Sequence, residues 1–219
     1  MKTQSHKLSL RQIVHIPIDS IELEGQLIIP RAAHGLVIFA HGSGSSRHSP
    51  RNQYVAQRLR EEHLATLLVD LLSEEEDSDY QNRFDISLLA ERLIAITDWA
   101  THDERTDNFS IGYFGASTGA AAAIIAAEGA EDTIKAIVSR GGRVDLACET
   151  AEVIKVPTMF IVGQEDYDVR EANKEVFLKL KCKKELAVIP RATHLFEEPG
   201  TLKRVAQLAA KWFKEHLGG

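Results

Sequence analysis

Cysteine is scarce. The 219 residues hold only Cys148 and Cys182, and neither belongs to a CxxC pair or to a His-spaced set. That excludes a disulfide-stapled scaffold and a zinc ribbon, and it suits a reducing compartment. Long apolar runs are also lacking, so no transmembrane helix is expected. Met1 to Leu10 contains no apolar signal core, and a cytoplasmic protein with no membrane partner is the expectation. There is no basic excess: 26 Lys and Arg against 32 Asp and Glu give a net charge of −6, which argues against a nucleic-acid partner. Glu61-Glu62-His63 lacks the H-E-x-x-H spacing, so no metal and no cofactor are expected.

What is present is alternation of strand and helix patterns. Val14, Ile16 and Ile18, then Ile21, Leu23, Leu27 and Ile29, recur at period two around Asp19-Ser20, as in an antiparallel hairpin. Leu36 to Ala40 is a continuous apolar run, as a strand buried on both faces requires, and Ala65 to Val69 reads as a further strand after a stretch of helical spacing through Tyr54, Val55 and Leu59. Residues 73–85 are polar and acidic and read as a solvated loop. Leu89, Leu93, Ile96 and Trp99 mark a helix face. Further strands are expected at Ile134 to Ser139, Pro157 to Val162 and Leu186 to Ile189, with helices after the last two. The fold class is α/β: one domain over residues 1–219, a mostly parallel sheet with an antiparallel N-terminal hairpin, helices on both faces and no large cap.

The chemistry centres on Gly115-Ala116-Ser117-Thr118-Gly119, which follows a β-prone run to Phe114 and precedes an alanine-rich stretch up to Ala127. Strand, sharp turn and helix in that order form a nucleophile elbow. By chance G-x-S-x-G would appear about 0.07 times in a chain this long; the competing reading is a tight turn with an idle serine. Asp166 and His194 follow at the ends of two later strands. The order Ser, Asp, His supplies a nucleophile, an orienting acid and a base. Asp168 is the better helix cap of the two nearby acids, which leaves Asp166 for His194. The turn His41-Gly42-Ser43-Gly44 is expected to form one wall of an oxyanion hole, with the N–H of Ser43 paired to that of Thr118. A dinucleotide loop is the weaker reading of Gly42-x-Gly44 with Asp70: Arg47 occupies the third glycine position and the acid comes later than the usual ~20 residues.

These motifs, from His41-Gly42 through Gly115-x-Ser117-x-Gly119 and Gly163-x-x-Asp166 to Ala192-Thr193-His194, resemble those of the α/β-hydrolases, and among them the small, lidless dienelactone-hydrolase-like proteins. Founding members of that group are known for a cysteine nucleophile, whereas this elbow holds Ser117, so lactone specificity does not transfer with the resemblance. The expected function is hydrolysis of a carboxylic ester, thioester or lactone through an acyl-enzyme, with a small-molecule ester or lactone as partner. Acyl transfer on the same triad, or a non-catalytic binding module, are the alternatives. Arg47, Arg51 and above all Arg140, at the end of a strand, are candidates for holding an anionic substrate group. Nothing in the pattern speaks to oligomeric state.

Overall fold

A computed structural model describes residues 10–218; the single-domain expectation also covers residues 1–9 and 219, which lie outside that range. β1 (Leu10–Ile18) and β2 (Ile21–Ile29) form the expected hairpin, in register from Leu10 opposite Ile29 to Ile18 opposite Ile21. Asp19 turns it at φ 50°, a conformation that Asp tolerates better than most residues. The remaining strands are β3 (Gly35–Ala40), β4 (Leu64–Val69), β5 (Ser110–Ala116), β6 (Ile134–Arg140), β7 (Thr158–Gly163) and β8 (Lys184–Ile189). The sheet runs β1-β2-β4-β3-β5-β6-β7-β8. β2 meets β4 antiparallel, and every pairing from β4 to β8 is parallel.

Burial explains the apolar runs. Every residue of β3, β4 and β7 is buried, because helices cover both faces. On one face Val37, Phe39, Phe114 and Val138 pack with α1 (Pro50–Glu61) and α7 (Thr201–Leu217). Val205, Ala209, Trp212 and Phe213 form the apolar stripe of α7. On the other face Ile38, Leu67, Tyr113 and Ile137 pack with α3 (Ile86–His102) and α4 (Thr118–Ala126), and Val176 of α6 (Tyr167–Lys179) joins them. Parallel strands all point one way, so the ends of β3, β5, β6, β7 and β8 deliver their loops to one edge.

The acidic segment differs from the solvated loop expected for it. Residues 73–85 hold the short helix α2 (Glu74–Ser78) and a 3₁₀ turn (Tyr80–Phe84). The cause is local polar bonding. Ser73 and Glu76 form a reciprocal capping box, Asp79 caps the 3₁₀ turn, and Arg92 pairs with Glu76. A 3₁₀ turn (Val144–Ala147) and α5 (Cys148–Val153) occupy the segment between β6 and β7. Cys148 and Cys182 are free thiols. Among the described residues no helix is long and apolar enough to cross a membrane, and no cluster of three metal-ligating side chains occurs.

Candidate active site

The elbow forms because two glycines let three backbones meet. A Cβ on Gly115 would come within 2.4 Å of Ala120 Cα, and one on Gly119 within 2.2 Å of the Ala40 carbonyl oxygen. Between them Ser117 adopts φ 52° and ψ −122°, outside the regions that L-residues favour. Its N–H donates to the Arg140 carbonyl at 3.2 Å, and its own carbonyl accepts from Arg143 N at 3.0 Å. The hydroxyl is thereby presented at the mouth of α4, where the first amides have no intrahelical acceptor.

Asp166 and His194 come together as expected. His194 Nδ1 lies 2.7 Å from Asp166 Oδ2. The loops carrying them are joined by Gln164 N–H to the Ile189 carbonyl and Glu165 N–H to the Ala192 carbonyl. Glu198 fixes the histidine loop by accepting from both the N–H and the hydroxyl of Thr193. The capping assignment is corrected: Asp166 itself occupies the N-cap position of α6, with no side-chain cap bond, while Asp168 lies in the first turn. The carboxylate at the cap position is turned to the histidine instead.

Ser117, Thr118, Asp166 and His194 line one cleft of about 490 Å³. Ser43, Phe84 and Arg143 also line it, as do Asp145 and the Asp168, Val169 and Ala172 side of α6, and sequence reasoning missed Phe84 and Arg143. Arg143 could have been suspected from its place just beyond the β6 strand end; Phe84 lies in the misread acidic segment. Among the described residues no hydrogen bond joins Ser117 Oγ to His194, a contact that often tightens only with substrate bound. A groove of about 430 Å³ between α1 and α7 contains Arg58, Lys203 and Lys211 but no nucleophile, and it lies away from the strand ends.

The oxyanion-hole expectation is half met. Ser43 and Thr118 are adjacent, but the Ser43 N–H donates to Thr118 Oγ1 at 2.9 Å rather than being free. Thr118 N–H is the first amide of α4. His41, given no chemical role, is a staple: Nδ1 donates to the Gly42 carbonyl at 3.0 Å and Nε2 accepts from Leu71 N–H at 3.1 Å. Burial, opposed by the Gly42 bond and by Asp70, pushes its pKa below 6.5.

The arginines fall elsewhere than expected. Arg47 is drawn away from the cleft by Asp70 and Glu24, which also occupies the acid of the rejected dinucleotide reading. Two carboxylates near the loop after β3 outcompete any substrate role for it. Arg51 pairs with Glu197 at 3.2 Å. Arg140 is buried outside the triad cleft, its guanidinium 5.9 Å from the Phe196 ring centre.

Comparison with known proteins bears on the fold and the family. A putative phosphoribosyl transferase of Mycobacterium tuberculosis is 49% identical over 206 residues, which are 94% of this chain but 46% of that protein. The chain thus spans about half the length of the curated relatives it matches. A dienelactone hydrolase of Anabaena variabilis superposes with a TM-score of 0.93 at 50% identity, covering 96% of this chain and 99% of that one. Est1E of Butyrivibrio proteoclasticus has the same fold, with a TM-score of 0.80 at 18% identity over 93% of this chain and 98% of that one. The model of the dienelactone hydrolase family matches residues 23–217. With its elbow, its strand-end acid and histidine and its capless α/β sheet, the chain belongs to the dienelactone hydrolase family.

Proposed function

We propose that the protein is a serine hydrolase that cleaves a carboxylic ester, thioester or lactone through an acyl-enzyme. The observation that carries this reading is the His194–Asp166 bond at the wall of the cleft into which Ser117 is presented. Ser117 Oγ attacks the carbonyl carbon while His194 Nε2 takes its proton. Asp166 holds the proton on Nδ1 and stabilises the imidazolium. The oxyanion is held by Thr118 N–H and by the Thr118 hydroxyl. That hydroxyl accepts from Ser43 N–H, which leaves its own proton to donate into the cleft. His194 returns the proton to the leaving oxygen or sulfur, and the acyl bond to Ser117 remains. Water, deprotonated by His194, then releases the acid and restores Ser117.

The relative named as a phosphoribosyl transferase is more than twice as long as the matched portion. A nucleophile, base and acid at one strand edge suit acyl chemistry rather than transfer of a phosphoribosyl group. On this reading the partner is a small-molecule ester or lactone, no cofactor is required and the cytoplasm is the expected compartment. A fluorophosphonate label tests it: the wild type is expected to be modified at Ser117 and Ser117→Ala not at all. An unlabelled wild type would point to a binding module. Product analysis with p-nitrophenyl esters of graded acyl length, with and without an alcohol acceptor, separates hydrolysis from acyl transfer.

A further inference from the structure

Three contacts converge on the loop Gly141-Gly142-Arg143 that follows β6, and each leads to a different member of the triad. Arg143 N–H donates to the Ser117 carbonyl at 3.0 Å, beside the bond from Ser117 N–H to the Arg140 carbonyl. Those two bonds hold the backbone of the nucleophile in its turn. Gly141, at φ 53°, lies under the base. A Cβ there would stand 3.3 Å from the His194 carbonyl oxygen and 3.4 Å from Nδ1, the nitrogen that bonds Asp166. The imidazole thus rests against bare backbone. Gly142 is wedged between elements: its Cβ would come within 2.0 Å of Ser139 Oγ and 2.6 Å of Ala120 Cβ in α4.

The third contact is a side chain. Asn173 of α6 is fully buried, and its Nδ2 donates to the Gly142 carbonyl and to the Val169 carbonyl, each at 2.8 Å. The Val169 bond is local to the helix, whereas the Gly142 bond spans 31 residues of chain. Asp166 is the N-cap residue of α6, and Val169 and Ala172 of the same helix line the cleft. Asn173 therefore ties the helix that begins at the acid to the loop that seats the base and bonds the nucleophile. Its Oδ1 is buried with no partner among the described residues, so the amide's donor end carries its bonding. A flipped amide would set an oxygen against two carbonyls. Two glycines give this loop more backbone freedom than other residues would, and misplacing a reacting group by about 1 Å can cost ~100-fold in rate.

We propose that Asn173 is a positioning residue: through the Gly142 carbonyl it fixes the Gly141-Gly142-Arg143 loop, and with it the spacing of Ser117, His194 and Asp166. Its kinetic effect rests on the hydrolase reading; its hold on the His194–Asp166 pair does not. Asn173→Leu keeps the branched shape of the side chain and removes the donor. Val176→Ala, about one turn further along α6 and buried in the core, weakens the same helix but leaves Gly142 its donor, and so serves as the control. Both are compared with wild type under conditions where urea curves show each variant folded. In Asn173→Leu, kcat on a p-nitrophenyl ester is expected to fall about 10- to 100-fold with KM nearly unchanged. Fluorophosphonate labelling of Ser117 should slow by a similar factor, and Val176→Ala should keep the wild-type rates. The proton on His194 Nδ1, followed by NMR as a low-field resonance from its bond to Asp166, should shift or broaden in Asn173→Leu alone. Should Asn173→Leu fail to fold, Asn173→Ala carries the same measurements. Wild-type kcat with an unmoved resonance in the folded variant, or equal losses in the variant and the control, overturns the role. A wild type that neither turns over nor labels would defeat the hydrolase reading instead. The resonance, which needs no turnover, then decides by itself whether Asn173 positions the pair.

Discussion

His194 Nδ1 and Asp166 Oδ2, 2.7 Å apart, join the loops after β8 and β7 at the same strand edge that carries Ser117. The carboxylate belongs to the N-cap residue of α6, a position where Asp ordinarily binds the helix's own amides. Here the histidine takes the place of the amides.

Removing Ser117 or His194 should therefore abolish turnover and spare the fold. Each of Ser117→Ala and His194→Ala is expected to lower kcat by about 10⁴–10⁶, with the double variant little worse. Steady-state kinetics with circular dichroism as a folding control checks this. Additive losses would contradict a triad acting as a unit.

Asp166→Asn should cost about 10⁴ in kcat by leaving the imidazole in the wrong tautomer. Asp168→Asn, at the first turn of α6, should leave kcat unchanged and cost about 0.3–1 kcal/mol of stability in urea denaturation. A reversed pair of phenotypes would make Asp168 the acid.

Thr118→Val keeps the shape of the side chain and removes the hydroxyl that accepts from Ser43. It should lower kcat by about 10²-fold with little change in KM, and Thr118→Ser should restore most of it. An unchanged kcat in the valine variant would remove the hydroxyl from the oxyanion hole.

His41 predicts a pH dependence of stability. Its folded pKa is depressed, chiefly by burial, so below 6.5 the unfolded chain takes up a proton that the folded one resists. The contribution is complete above 6.5 and falls as pH drops through that value toward the folded pKa. Urea midpoints at pH 5.5 and 7.5 should differ in the wild type, and His41→Gln should narrow the gap. A gap as wide in the variant would assign the acid sensitivity to another group.

The strands and the triad were legible because their signals are local or ordered. Leu36 to Ala40, five apolar residues closed by the turn at Gly42 and Gly44, is too short for a buried helix and reads as a strand covered on both faces, and Gly115-x-Ser117-x-Gly119 names its own turn. Ser73-x-x-Glu76 is also a local signal, a capping box, but it lies in a run so acidic that charge masked it. The arginines were illegible for a different reason. Arg47 is claimed by Asp70 and Glu24, and Glu24 becomes a neighbour only through the hairpin's pairing with β4. Arg140 stands at a strand end as expected, but the two faces of a strand end differ, and the motif does not say which face holds the substrate.

Ser117 at φ 52° has a consequence for how this protein ages and evolves. A backbone held there costs on the order of 1–3 kcal/mol for any residue but glycine. Ser117→Gly should then unfold at higher urea than the wild type while having no activity. On the proposed mechanism, durability and turnover are opposed at a single codon, so mutational drift toward a longer-lived molecule leads straight to a dead one.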